Sequence, residues 1–544
     1  MKKYIYKLKF IIFIKILTDS LYTVAIAAIP YIIKLLIDYD FSKGSKGVIT
    51  FILMYLFAAT VGMGFQYISQ FYSWKLERKF NLLIKRDIFN SILNYSYTKF
   101  TKSDVSTYIS VLDNDVKVTE QYIESFVSIV QSFIQVIIYG IYIFALGPII
   151  ATVIIFCSSL TLFLPNITSK TLSKRRVQHL DSVASYIGKV KDLLEGFKNV
   201  NYETKDSILE EHNKTMIDTE NKLLYYGKFS TFTNVFNGFF MYLLDLSAFI
   251  TVAILLLKNK ISIGTATATL AYIKEFVYPI RYIISDLTNM KSARGTKDKV
   301  LNFIKNDEKH LNKKTSFESG IEFRNVSVKF ENFELNKFNY TFKKGKRYAI
   351  VGHSGSGKST IINLLMKYVS STNGEILIDG TDINAVETSS ILGNINQVEH
   401  VFSDNFLNNI TVYGAYDNSK VDHIINYYEC SKINNISNKE NCTELSGGEK
   451  QLLALVRMML INRDIILLDE PFSALDIQNT LLMQDKVYNL ENKTMIVVTH
   501  NLSRDNLKYF DEVIIMNNGF IERSDAPNEI VKSLEYNDLV KSIL

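Results

Sequence analysis

Apolar residues follow two patterns along this chain. Up to about residue 290 they form long runs, and after about residue 310 they fall into the short runs and alternations of a water-soluble α/β protein. Six of the long runs suit a hydrocarbon layer of ~30 Å at ~1.5 Å per residue. They are 10–37, 48–71, 126–146, 149–167, 232–257 and 261–284. Only Gly147-Pro148 joins the third and fourth, which predicts a tight turn. Ahead of the first run, Lys2, Lys3, Lys7 and Lys9 alternate with Tyr, Ile and Leu, predicting a short interfacial helix. Residues 76–93 and 172–194 repeat apolar positions at helical spacing with charges between them. They predict helices that run on beyond the bilayer, with polar tips at 99–106 and 201–207.

Basic residues orient these spans. Eight Lys and Arg lie between 73 and 125 and eleven between 168 and 231, whereas the opposite side holds only Lys43 and Lys46, then Lys258 and Lys260. The positive-inside rule places both termini and the two long loops in the cytosol. Ionisable side chains inside spans are costly and are read as candidates for a polar path. Here they are Asp19, Asp245, Lys274, Glu275 and Arg281, and Pro279 predicts a kink in the sixth span.

The soluble pattern begins near Ile321, where Ile321, Phe323, Val326 and Val328 alternate. Tyr348-Ala349-Ile350-Val351 then predicts a buried strand, and Ile361 to Met366 a helix. Between them stands Gly352-His353-Ser354-Gly355-Ser356-Gly357-Lys358-Ser359-Thr360, which fits the phosphate-binding loop G-x-x-x-x-G-K-[ST]. Its glycines let successive N–H groups turn inward onto phosphate oxygens, and the helix N-terminus adds its dipole. Lys358 can reach the β- and γ-phosphates, and the Ser359 hydroxyl can ligate Mg²⁺.

Two further stretches carry chemistry. Ile465 to Leu468 predicts a buried parallel strand with Asp469 and Glu470 at its carboxyl end, where open α/β sheets bind ligands. Asp469 is placed to hold Mg²⁺ and Glu470 to polarise a water for in-line attack; His500, at the polar end of the predicted strand Met495 to His500, can bond the γ-phosphate or that water. The second stretch is Leu445-Ser446-Gly447-Gly448-Glu449-Lys450-Gln451, which opens an apolar helix and makes another anion-binding N-terminus. One nucleotide does not need two phosphate cradles from a single chain, so a second copy is expected to supply one of them.

Taken together, these residues resemble an ATP-binding cassette (ABC) transporter half of the exporter type, over almost the whole length. Leu445 to Gln451 is similar to the family signature, Gln397 to its glutamine loop, Ser473-Ala474-Leu475-Asp476 to its D-loop, and His500 to its switch histidine. Phe330 falls where the family stacks an aromatic on adenine, with Phe333 a close rival. The resemblance implies a six-helix α transmembrane domain with long cytosolic extensions, plus an α/β P-loop NTPase domain. The boundaries are 1–300 for the membrane domain, 301–320 for a linker and 321–544 for the nucleotide domain. It further implies Glu470, His500 and Gln397 as catalytic positions, Ser359, Gln397 and Asp469 around Mg²⁺, and Ser446, Gly447, Gly448 and Asp476 among those that embrace ATP. The chains would pair head to tail, with ATP between one P-loop and the partner's signature. Two segments depart from the family pattern: Ser103-Asp104 replaces a glycine after the first cytosolic tip, and Asn438 to Glu444 shortens the acidic stretch before the signature.

Composition narrows the picture further. A chain of 544 residues calls for two or three domains. A net charge of +6, from 61 basic and 55 acidic residues without a dense basic tract, favours a membrane surface over nucleic acid. Cys157, Cys430 and Cys442 form no C-x-x-C pair, so no metal site is expected from them. No small-residue cleavage site follows the first apolar run, so it is not read as a cleaved signal peptide, and leader-peptide cleavage by a preceding peptidase domain is not expected. The expected activity is ATP-driven export of a peptide, lipid or amphipathic small molecule across a bacterial cytoplasmic membrane, by a homodimer or by one half of a heterodimer. An importer on the same fold and a non-transporting ATPase are the competing readings, and the six spans weigh against the latter.

Overall fold

The computed structural model describes residues 1–161, 165–305, 312–314, 316–330, 333–396 and 399–543. It divides into two units: Met1–Tyr95 with Lys99–Asp307, and Glu308–Leu544 with Ser96–Thr98.

The first unit is helical. Its long elements are α1 (Lys2–Ile37), α2 (Lys46–Leu93), α3 (Val116–Leu146), α4 (Pro148–Thr161), α5 (Pro165–Glu195), α6 (Lys205–Leu257) and α7 (Ile263–Ile304). Among the described residues four helices are long and apolar enough to cross a membrane: α1, α2, the stretch Val105–Leu146 that contains α3, and α6. Of the other two expected spans, the fourth falls partly on 162–164, outside the described residues. The sixth lies in α7, which carries Lys274, Glu275 and Arg281. The predicted separate interfacial helix at the N-terminus is instead the first turns of α1. Nothing between Lys9 and Phe10 breaks the helix, and Tyr4 and Lys3 tie it to Asp87 of α2 at 2.7 and 3.1 Å. Leu76, Phe80, Ile84 and Ile88 of α2, spaced at i, i+4, are buried against Leu8, Ile11, Ile123 and Val127. The long loops are helical as expected, since α2, α5 and α6 run well past their apolar segments. Pro279 lies inside α7, which continues past it, and Pro30 lies inside α1 in the same way. The first residues of the expected linker are still helical, because α7 ends at Ile304.

The second unit contains β1 (Gly320–Lys329), β2 (Glu334–Lys343), β3 (Arg347–Gly352), α8 (Lys358–Leu365), β4 (Asn373–Ile378), β5 (Leu392–Ile395), α9 (Gly447–Ile461), β6 (Ile465–Asp469), α10 (Ile477–Tyr488), β7 (Thr494–Val498), β8 (Glu512–Asn517) and β9 (Phe520–Asp525). A six-stranded sheet runs β9-β8-β3-β7-β6-β5, parallel throughout except for β9. An antiparallel sheet runs β2-β1-β4, with the short strand Thr381–Asp382 at its edge. The period-2 geometry of the central strands divides their side chains between two cores. Ala349, Val351, Ile466, Leu468, Met495 and Val497 face α9 and α10. Tyr348, Ile350, Ile465, Leu467, Ile496 and Val498 face α8 and the antiparallel sheet. Parallel register sets Val498 opposite both Ile350 and Asp469. The segments that leave β3, β6 and β7 therefore emerge on one edge, and this positions the site.

Candidate nucleotide site

The loop after β3 is shaped by its glycines. Gly352 has φ +151, and a Cβ there would stand 2.2 Å from the Met516 carbonyl oxygen of the neighbouring β8, so only glycine lets these strands leave the sheet together. Gly357, at φ +101, has the Phe333 ring where a Cβ would point, 2.7 Å away. Lys358 opens α8, and its Nζ donates to the carbonyls of Gly352 at 2.9 Å and His353 at 2.8 Å. The ammonium is thus held over the concave side of the loop. Burial lowers its pKa, and the nearby Glu470 and Asp469 act the other way. Ser356 is 3% exposed, and its Oγ has no hydrogen-bond partner among the described residues, an acceptor and donor left over inside the loop.

Asp469 and Glu470 leave β6 beside this loop. Burial raises the Asp469 pKa, while a hydrogen bond with Ser359 and the charge of Lys358 oppose that shift. Glu470 takes the left-handed conformation, φ +50, which is uncommon for a residue with a Cβ, and its N–H donates to Val498 O at 3.0 Å. The twist brings Glu470 Oε1 to 2.8 Å from His500 Nε2, at the end of β7. A cleft of about 550 Å³ is lined by Ser354, Gly355, Gly357, Lys358, Ser359 and Thr360 on one side and by Glu470 and His500 on another. Phe330 and Phe333 both line its mouth, their ring centroids 6.2 Å apart, so the two candidates for an aromatic platform are neighbours.

The signature residues stand elsewhere. Ser446 caps α9 through a reciprocal box: its backbone N–H and its hydroxyl both donate to Glu449 Oε2 at 2.8 Å, and Glu449 N–H donates back to Ser446 Oγ at 3.3 Å. These bonds hold the Glu449 carboxyl below its ordinary pKa. A Cβ on Gly448 would lie 2.8 Å from the Ala474 carbonyl oxygen, so signature and D-loop are packed backbone to backbone. Gln451 joins them again, donating to Ser473 Oγ at 3.2 Å and accepting from Ala474 N–H at 3.0 Å. Asp476 caps α10 through Asn479 N–H at 2.9 Å and pairs with Lys432 at 2.6 Å; those bonds hold its carboxyl well below the usual range. Ser446, Gly447, Gly448 and Asp476 do not line the P-loop cleft. Gln397 lies outside the described residues. Sequence reasoning gave no role to Gln451, although it is the last residue of the signature; the signal was there, and only the fold reveals its partners.

In the helical unit, Asp19 accepts from Gln135 Nε2 at 3.1 Å and Ser69 Oγ at 3.5 Å, and Glu275 accepts from the Tyr139 hydroxyl at 3.5 Å. Asp245 and Arg281 are exposed.

A phosphate-binding loop, a carboxylate pair and a histidine on one edge of a parallel sheet define a P-loop nucleotide-binding unit, here fused to a helical membrane unit. The family model of the ABC transporter transmembrane region matches residues 11–280, and that of the ABC transporter matches 335–473. The chain belongs to the ABC transporter family: it is a membrane protein that binds ATP, and an ATPase coupled to transport. It is 27% identical over 560 aligned residues to the ATP-dependent lipid A-core flippase of Haemophilus ducreyi, covering 94% of this chain and 92% of that one. It is 29% identical over 312 residues to the Bacillus subtilis ATP-binding/permease protein YgaD, a match spanning 53% of either chain. The solved structure of a bacterial Atm1-family ABC exporter with ATP bound superposes with a TM-score of 0.86 at 18% identity, covering 99% and 98% of the two chains, so the fold is that of an exporter.

Proposed function

We propose that this protein is one half of a dimeric exporter that uses ATP hydrolysis to drive a peptide, lipid or amphipathic small molecule out of the cytosol. The observation that carries this reading is the meeting of Lys358, Ser359, Glu470 and His500 in one cleft, while Ser446, Gly447 and Gly448 crown a different helix end. In the proposed dimer the second cradle of one chain covers the nucleotide of the other. Ser359 and Asp469, hydrogen-bonded side by side, form an all-oxygen pair suited to a hard divalent ion. When bound, Mg²⁺ would screen the β- and γ-phosphate charge. Lys358 holds those phosphates, Glu470 accepts the proton of the attacking water, and His500 orients Glu470 through their 2.8 Å contact. Gln397 is assigned to the same water and ion, and Asp476 to the dimer face. Six spans, with both termini and the nucleotide unit in the cytosol, complete the assignment.

Replacing Glu470 by Gln is the direct test of the chemistry. Hydrolysis is expected to fall by roughly 10²–10⁴-fold while ATP binding survives. Turnover near the parental rate would end the assignment. The orientation is tested with single cysteines after removal of Cys157, Cys430 and Cys442. Cysteines at Lys43 or Asn259 should react with an impermeant maleimide on intact cells, and those at Lys102 or Lys205 should not; the reverse pattern overturns it.

A further inference from the structure

One segment beside the nucleotide cleft is held by side chains rather than by a sheet or a helix. β7 ends at Val498, and residues 499–503 follow it without regular structure. The last bond back to the sheet runs from Thr499 N–H to Ile350 O at 3.2 Å. His500 comes next, and among the described residues no hydrogen bond reaches its backbone. Its side chain nevertheless meets Glu470 Oε1 at 2.8 Å. A contact of that length persists only if the chain that carries the ring is itself held in place.

Two side chains supply the anchor. Asn506 is 2% exposed, and its Nδ2 donates to the Asn501 carbonyl at 2.7 Å. It belongs to the short helix Arg504–Leu507 that follows at once, so this bond is local. Tyr536 donates from its hydroxyl to the Leu502 carbonyl, also at 2.7 Å, from 34 residues further along. It lies in α11 (Leu534–Ile543). Among the described residues it is the one hydrogen-bond donor that reaches 500–503 from beyond Leu507, and the Leu502 carbonyl accepts from no other group. Tyr536 is set in its turn, because Ser533 Oγ accepts its N–H at 3.2 Å as an N-cap does. Its ring packs in one core with Leu502, Leu507, Phe510 and Ile530. A phenylalanine ring would serve that packing equally well. The hydroxyl is needed for the buried carbonyl, which would be costly to leave unsatisfied.

We propose that Tyr536 is a positioning residue for ATP hydrolysis: with Asn506 it pins segment 500–503, and through that segment it sets where His500 meets Glu470. The proposal rests on the reading of Glu470 and His500 as the catalytic pair and adds the residue that holds the histidine. Tyr536 does not line the nucleotide cleft, and neither Lys358 nor Ser359 depends on this segment. Its loss therefore slows the attack of water and leaves the hold on ATP as it was. The same core contains a control. Tyr428 is 0% exposed and donates from its hydroxyl to the Leu455 carbonyl at 3.1 Å. That carbonyl lies inside α9, where the helix fixes its position, whereas the Leu502 carbonyl lies in irregular chain. The two hydroxyls make similar bonds, and only one of those bonds locates a loop.

The test compares Tyr536→Phe, Asn506→Leu and Tyr428→Phe in the full chain, reconstituted in phospholipid nanodiscs. Each Phe variant keeps its ring and loses one buried hydrogen bond, so both should melt about 2–4 °C below the parent. In Tyr536→Phe, kcat for ATP hydrolysis should fall roughly tenfold with KM unchanged; in Tyr428→Phe it should stay within about twofold of the parent. Hydrogen exchange without nucleotide should quicken about tenfold across residues 499–507 in Tyr536→Phe, with β6 and β7 unaltered, and should not change there in Tyr428→Phe. Asn506→Leu leaves α11 untouched and should show the same split between kcat and KM, so it decides the question if Tyr536→Phe does not fold. A parental kcat in Tyr536→Phe, a change in KM alone, or an equal loss of kcat in Tyr428→Phe overturns the proposal. So does parental exchange across 499–507. Absent hydrolysis in the parent removes the exporter reading instead, and the exchange measurement then still judges the tether.

Discussion

The two units hold the carboxylates Asp379 and Asp19 in different ways. In the nucleotide-binding unit, Asp379 is held redundantly, mostly by backbone. Asp379 accepts from the N–H groups of Glu318, Ser319 and Gly320 at 2.9, 2.6 and 3.0 Å and from Lys314 Nζ at 2.7 Å. In the helical unit, Asp19 is held by side chains alone, Gln135 and Ser69 from two other helices. Backbone-held sites are rigid, which suits a motor that must present the same donors at every turnover. Side-chain contacts between helices can be exchanged as helices shift, which suits a path for a cargo.

The largest expected effect strikes the backbone-held site. Gly352→Ala puts a Cβ at 2.2 Å from Met516 O, in a conformation reserved for glycine. It should abolish ATP binding and cost about 2–5 kcal/mol of stability in the nucleotide unit. An alanine variant that binds ATP normally would show that the loop is not shaped by that close approach. Next comes Gln451→Leu, which removes the tie between signature and D-loop. It should reduce turnover roughly tenfold with the affinity for ATP little changed, because Gln451 does not line the P-loop cleft. A change confined to ATP affinity would place Gln451 in the wrong role.

Asp379→Asn tests redundancy and should cost about 2 kcal/mol in chemical denaturation. Burial works against the charge of Asp379. It is outweighed by Lys314 and the N–H groups of Ser319, Glu318 and Gly320, which hold the carboxyl well below the usual carboxylate range. A depressed folded pKa gives stability that is complete above the unfolded value of about 3.9 and is lost as pH falls through the folded one. The parent should therefore lose its advantage over Asp379→Asn only in strong acid. The smallest effect is expected from Asp19→Asn, which keeps the shape and one acceptor. Stability should move by less than about 1 kcal/mol and ATP affinity not at all; a large loss would mean that this carboxylate carries more than its two visible bonds.

The same contrast explains what could be read from sequence. The P-loop, Asp469-Glu470 and the signature were legible because backbone chemistry needs particular residues in a row, and because β3, β6 and β7 announce themselves as buried runs. The partners of those residues were not legible: the 2.8 Å contact of His500 with Glu470 and the links from Gln451 depend on sheet register and on the left-handed turn at Glu470. In the helical unit hydropathy located the long helices. It misjudged the N-terminal segment, whose lysines and tyrosines looked interfacial but extend α1 onto Asp87. Nor could it show that Asn237 and Arg281, 44 residues apart in the chain (281 − 237), line one cleft, since helix packing alone sets that neighbourhood.

The central claim is that a complete ATP site needs the P-loop of one chain and the signature of another. It is tested by hydrolysis in mixed dimers isolated through two different tags. Lys358→Ala and Ser446→Arg should each be inactive as homodimers. With both changes on one chain, each composite site lacks one half, and no hydrolysis is expected. With the changes on different chains, both lesions fall in the same site, and the other stays intact. Residual hydrolysis in the second arrangement and none in the first is the predicted result. Hydrolysis in the first arrangement and none in the second would mean that each chain builds its own complete site, and the composite dimer would be wrong.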